Sequence, residues 1–281
     1  MPSAREFLLA GGSGFMGTHV ARGLMARGHR VTVLSRGHRD PVEGATMVTA
    51  DRRDAAGVAA ALRGRRFDLT VDFLVYDASD LDWLDRVPAA SLGRFIMIST
   101  GQVYLVGEGA EPPYVEDDAR RPISAEPTTG EYERGSWSYG VGKRRAEQAL
   151  LQMGESHGIR AVALRLPIVQ GESDGSLRLW AYLERMMDGG ALVLPEGGRR
   201  LIRHLDAGDI APVIERLAEG PPPAHAAYNL AQSDVVPLRV FLERVAEAAG
   251  VAARFVEASW DVCRAAGLDQ VVLLAGGVQH E

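Results

Sequence analysis

The chain has 281 residues, with 37 acidic and 31 basic side chains and a formal net charge of −6. Its 46% hydrophobic and 24% charged content is ordinary for a globular protein with enough apolar material for a sizeable core. The acidic balance argues against a dedicated nucleic-acid binder, and no apolar run is long enough to span a bilayer. The single cysteine, Cys263, excludes an intrachain disulfide and points to a reducing, cytoplasmic setting.

The first strand-like run, Phe7 to Ala10, starts so near the amino terminus that no signal peptide is expected. A glycine-rich turn follows, then a helical stretch to Arg27 with Val20 and Leu24 on one face, stopped by Gly28. Val31–Leu34 and Met47–Ala50 read as strands, Ala55–Leu62 as a helix, and Phe67–Val75 and Phe95–Ser99 as the next two strands. A helix is expected over Tyr139–Met153 and a sixth strand over Ala161–Leu166. Runs as continuously apolar as Phe95-Ile96-Met97-Ile98 suit strands covered on both faces, so the expected class is α/β, a doubly wound parallel sheet of Rossmann type.

Between Gly107 and Trp137 the chain is polar and carries Pro112, Pro113, Pro122 and Pro127. A connection of that length suggests a functional loop, and a position over an active site is expected. The alternation fades after Pro167. Residues 1–167, with 204–225 returning to them, are expected to form the dinucleotide-binding domain, and 168–203 with 226–281 a small carboxyl-terminal substrate lobe.

The turn reads Ala10-Gly11-Gly12-Ser13-Gly14-Phe15-Met16-Gly17, in which two glycine spacings overlap. Between a strand and a helix, such a turn lets backbone N–H groups approach a pyrophosphate at the helix amino terminus. The bland alternative is a tight strand–helix turn, since short glycine patterns arise by chance. After strand two, where an NAD site usually has an acid, stand Ser35 and Arg36, with His38 and Arg39 close behind. A guanidinium pairs with a phosphate and stacks on adenine, which favours NADP, with NAD as the alternative. Asp51, followed by Arg52, is placed either to meet the adenine amino group or to cap the next helix.

Tyr139-x-x-x-Lys143 puts a phenol and an ammonium side by side on one helix face. Free tyrosine titrates near pH ~10, and a neighbouring cation lowers that value enough to make the phenol a usable acid and base. Ser99-Thr100 ends strand five, where a hydroxyl can bond a substrate oxygen; Thr100 is the choice, Ser99 the alternative. The seven histidines show no metal-ligand spacing, so no metal is expected.

Together the glycine turn, Asp51 and Asp54, Ser99-Thr100…Val103-Tyr104, Tyr139…Lys143…Glu147 and Leu164-Arg165-Leu166-Pro167 resemble the extended short-chain dehydrogenase/reductase family, also called NAD-dependent epimerase/dehydratases. The resemblance continues through Ile202-Arg203-His204-Leu205-Asp206 and Tyr228-Asn229-Leu230. It implies an enzyme in which Tyr139 transfers a proton, Lys143 activates it and holds the nicotinamide ribose, Thr100 bonds the substrate oxygen, and Pro167 lines the nicotinamide. It also implies cofactor contacts around Gly11, Ser13, Gly14, Phe15, Met16, Gly17 and Leu74, substrate contacts at Gln102 and Arg200, and a helix-pair homodimer. For Arg200 a solvated turn is an equal alternative.

The departures narrow the chemistry. Family dehydratases follow the threonine with an Asp-Glu pair; here Gly101 and Gln102 stand there, which argues against a dehydratase. Asp72-Phe73-Leu74-Val75-Tyr76 replaces the usual small residues, so an altered adenine pocket is expected. Three readings follow: an oxidoreductase acting on a ketone or alcohol of a small-molecule substrate, a nucleotide-sugar epimerase with tightly held NAD, and a non-catalytic dinucleotide-sensing or RNA-binding relative. The last is disfavoured by retention of both Tyr139 and Lys143.

Overall fold

A computed structural model describes residues 3–128, 130–266 and 268. Its centre is a seven-stranded, all-parallel sheet. In chain order the elements are β1 (Glu6–Ala10), α1 (Phe15–Ala26), β2 (Arg30–Ser35), β3 (Thr46–Thr49), α2 (Ala55–Ala61), β4 (Leu69–Asp72), β5 (Arg94–Thr100), α3 (Glu131–His157) and β6 (Arg160–Leu166). There follow β7 (Ile168–Gln170), α4 (Arg178–Met187), β8 (Ala191–Pro195), β9 (His204–Asp206), α5 (Ile210–Glu219), β10 (Ala227–Asn229), α6 (Leu238–Ala249) and β11 (Arg254–Ala258). The main sheet runs β10-β6-β5-β4-β1-β2-β3. Chain order reverses between β1 and β4, and the crevice beyond the carboxyl ends of those strands is where such sheets bind ligands.

Apolar residues cover both faces of the sheet. On one face Val20, Ala21 and Leu24 of α1 and Ile210, Ala211 and Ile214 of α5 pack on Phe7, Leu9, Val71 and Ile96. On the other, Leu8, Phe95 and Met97 meet Ala146 and Leu150 of α3 and the fully buried Trp83. The second lobe has its own core, in which Tyr182 and Met186 pack with Leu192, Leu194, Leu238 and Leu242. On the same helix Trp180 and Met187 are exposed, so only one of its faces is core.

Three elements differ from the reading of the sequence. β4 is shorter than Phe67–Val75 because the buried Asp72 carboxylate accepts the Leu74 N–H at 2.8 Å and turns the chain out of the ladder. α3 begins two turns earlier than Tyr139, through a polar stretch without helical apolar spacing, and ends at Gly158 in the left-handed region. Residues 227–229 extend the main sheet as β10 on β6, although the segment from 226 onward reads as part of the substrate lobe. Of that segment, residues 267 and 269–281 lie outside the described residues. Among the described residues no helix is long and apolar enough to cross a membrane.

Candidate active site

β1 runs into α1 through Gly11–Gly14. Gly11 has φ +79°, and a Cβ there would stand 2.5 Å from Leu74 Cγ. A Cβ on Gly17 would stand 2.5 Å from Gly12 Cα, so only glycine lets the helix sit directly on the turn. Gly14 is the N-cap of α1 and supplies no side-chain acceptor to the first-turn N–H groups. A cradle without side chains at an uncapped helix start fits a pyrophosphate by both shape and dipole.

Two cavities open beside this turn. One, of about 310 Å³, is lined by Gly11, Ser13 and Gly14, by Ser35, Arg36, His38 and Arg39 after β2, and by Asp51, Arg52 and Leu74. The other, of about 300 Å³, is lined by Phe15, Met16, Thr100, Tyr139, Lys143 and Pro167. Tyr76 borders both.

In the first cavity the basic residues Arg36, His38 and Arg39 are exposed. Asp51 does not cap α2: that position belongs to Asp54, whose side chain accepts from Gly57 N at 2.9 Å. Asp51 instead accepts from Arg53 N at 3.0 Å. Arg52 borders the cavity but its guanidinium is held by Asp72 and Asp80, each at 3.0 Å. Asp72 is wholly buried, and burial raises its carboxyl above the ordinary range while Arg52 and the Leu74 N–H oppose the shift. Asp72 is a buried acid that pairs with Arg52 and accepts from the Trp83 indole N–H at 3.3 Å.

In the second cavity Tyr139 is half-exposed and Lys143 is only 2% exposed. Lys143 Nζ lies 5.7 Å from the Tyr139 ring centre and 5.1 Å from that of Tyr76. α3 comes this close because of Gly142, where a Cβ would meet the Tyr76 carbonyl at 2.5 Å. Burial depresses the Lys143 ammonium to about 8, against the attraction of Asp72 and Glu147. Between the two candidate hydroxyls the geometry discriminates. Ser99 Oγ donates to Glu147 Oε1 at 2.5 Å, while Thr100 Oγ1 accepts from Gln102 N at 3.2 Å and keeps its own proton for a further acceptor.

Glu147 organises more than its helix. It accepts from Arg165 Nε at 3.1 Å and from Nη2 at 2.6 Å, and Arg165 Nη1 donates to Tyr104 Oη at 2.9 Å. Tyr104 in turn donates to Asn229 Oδ1 at 2.5 Å. This chain joins residues from the motifs around Ser99, Glu147, Arg165 and Asn229, and Ser99 links it to the cavity of Tyr139 and Lys143.

Other expected positions are not brought to this cavity. Gln102 is buried beneath Thr100, with Nε2 directed to Ser136 O at 3.4 Å. Arg200 is exposed and lies over the Trp260 ring at 5.4 Å. Among the described residues, none of the proline-bearing segment after Gly107 lines this cavity: Val115–Ile123 borders a separate opening beside β6, and Tyr114 stacks on Tyr104 at 5.2 Å. Conversely, Phe73, Asp174 and Arg178 line the same cavity as Tyr139 and Lys143, and no spacing in the sequence points to them. Among the described residues no cluster of His, Cys, Asp and Glu could hold a metal ion.

Comparison with known proteins identifies the family and the fold. 2'-Dehydrokanamycin reductase of Streptomyces kanamyceticus is 26% identical over 249 residues, covering 86% of this chain and 66% of the relative, a little under two thirds. 2-Alkyl-3-oxoalkanoate reductase of Stenotrophomonas maltophilia is 27% identical over 269 residues, 87% of this chain and 76% of the relative. The structure of Thermus thermophilus UDP-glucose 4-epimerase in complex with NAD aligns with a TM-score of 0.67 at 21% identity, over 96% of this chain and 97% of that one, which speaks for the fold. The profile described as NAD dependent epimerase/dehydratase family matches residues 7–83 and 74–231, and the chain belongs to that family.

Proposed function

We propose that this protein is an NAD(P)-dependent oxidoreductase that interconverts a ketone and an alcohol on a small-molecule substrate, using Tyr139, Lys143 and Thr100. The observation that carries the reading is the convergence of these three side chains on one cavity with Phe15, Met16 and Pro167. Gly11–Gly17 would hold the pyrophosphate, Arg36 with Ser35 the adenosine phosphate of NADP, and Lys143 the nicotinamide ribose. When bound, the dinucleotide supplies or accepts the hydride.

The chain's own residues govern the proton. Thr100 Oγ1 and Tyr139 Oη donate to the substrate oxygen, and Tyr139 passes its proton as charge develops there. The Lys143 ammonium, held off water and aimed across the Tyr139 ring, stabilises the phenolate that remains. Two curated relatives named as reductases favour net reduction over epimerisation, which would employ the same residues. An epimerase would copurify with its cofactor and turn over without net NADPH consumption.

The test is Tyr139→Phe. Positioned proton transfer contributes roughly 10²- to 10⁴-fold, so turnover of NADPH with a ketone should fall by that order while dinucleotide binding persists. Undiminished turnover would overturn the mechanism.

A further inference from the structure

The loop Gly171–Leu177 bends sharply before it enters α4. Ser173 and Leu177 both lie in the left-handed region, at φ +65° and +54°, although neither is glycine. Such strain persists where surrounding structure over-determines the backbone, and it collects at ligand-binding segments. Here it delivers two charged side chains, Asp174 and Arg178, to the cavity that Thr100 and Tyr139 also line.

The two charges have different standing. Asp174 accepts the Ser176 N–H at 2.9 Å on one oxygen and the Ser176 hydroxyl at 2.7 Å on the other. Ser176 Oγ in turn accepts from Arg178 Nε at 3.1 Å. Asp174 is therefore engaged in shaping the loop, and through Ser176 it orients the guanidinium. That relay uses one of five guanidinium N–H donors, and it is the terminal pair that matches a carboxylate's two oxygens. Lys143, the other cation of the cavity, is directed to Ile98 O and lies over the tyrosine rings.

Arg178 also has a neutral backing. His204 is held uncharged by burial, reinforced by Arg178 itself, with its pKa lowered to about 4. Burial keeps the Tyr182 phenol protonated, raised to about 12 against the pull of Arg178. Neither neighbour supplies a counter-charge.

We infer that Arg178 is a specificity-determining residue that binds a carboxylate of the substrate, so that the favoured substrates are oxo acids, with the carbonyl at Tyr139 and Thr100 and the acid at Arg178. The carbonyl half of this inference rests on the oxidoreductase reading above; the carboxylate half does not.

The experiment compares oxo-octanoates carrying the ketone at C3, C4 or C5 with their methyl esters, which keep the ketone and lose the charge. Binding to the NADP⁺-saturated protein is measured by calorimetry, and NADPH oxidation by absorbance. At least one acid should bind about 30-fold more tightly than its ester, the scale of a charge-assisted hydrogen-bonded pair. Arg178→Gln should erase that preference, and Arg178→Lys should keep part of it. Equal binding of acid and ester, or a preference that survives Arg178→Gln, would overturn the inference. Arg178-dependent binding of the acid without NADPH oxidation would leave the carboxylate site standing and remove the oxidoreductase reading.

Discussion

Lys143 donates from Nζ to the Ile98 carbonyl at 2.9 Å, tying the tyrosine–lysine helix to the strand that ends in Thr100. The bond fixes the ammonium's position while leaving two donors for other acceptors. It also explains how a side chain 2% exposed is tolerated: the burial cost is offset by that carbonyl, two aromatic faces and the attraction of Asp72 and Glu147.

That environment sets a pH limit. With the Lys143 pKa lowered from 10.5 to about 8, chiefly by burial, the free enzyme loses its ammonium far earlier than ordinary lysine would. kcat/KM should therefore decline as pH rises through about 8. The stability contribution runs the other way. Between about 8 and 10.5 the unfolded chain binds more protons at this site than the native one, so this group's contribution to stability grows with rising pH across that window. A kcat/KM profile flat to pH 10 would show that the ammonium is not required.

Much of this site was legible because its parts are local. The glycine spacing between Ala10 and Gly17 encodes a turn whose geometry follows from missing Cβ atoms, and a four-residue step on a helix brings Tyr139 and Lys143 together whatever the tertiary context. The unread parts depend on distant pairing. Arg52 borders the cavity beside the glycine turn, but only the folded ladder reveals that Asp72 stands 3.0 Å from its guanidinium. Arg178 reaches the cavity through left-handed Ser173 and Leu177, residue types that give no warning of that backbone. The segment after Gly107 looks like an active-site cover because nothing local reveals that Glu116 accepts from Asn229 N at 2.8 Å and lines the opening beside β6.

Cofactor choice is the next test. Arg36 borders the cavity beside Gly11 and Asp51 and is exposed; on the proposed reading its charge meets a phosphate on the adenosine ribose. Charge-assisted hydrogen bonds contribute about 1.5–3 kcal/mol, so Arg36→Ala should lower kcat/KM for NADPH by roughly 10- to 100-fold. The loss for NADH should be much smaller. Equal losses for both dinucleotides would assign Arg36 a role other than phosphate recognition.

The last prediction concerns the pair of Glu147 and Arg165. The Glu147 and Arg165 side chains are 11% and 6% exposed and meet at 2.6 Å, while Ser99 Oγ donates to Glu147 and Arg165 donates to Tyr104 Oη and the Glu116 carbonyl. Contact with Glu147 outweighs the burial penalty on Arg165 and pushes the guanidinium above its ordinary range. Glu147→Gln keeps the shape and leaves a buried guanidinium without its counter-charge, a change that costs about 3–5 kcal/mol in such pairs. Guanidinium-chloride unfolding should register that loss. Replacing both partners, Glu147→Leu with Arg165→Met, removes the stranded charge and should recover part of the stability, although Tyr104 and Ser99 then lose a partner. A Glu147→Gln variant as stable as the parent would mean that the arginine finds adequate compensation from Tyr104 and Glu116 alone.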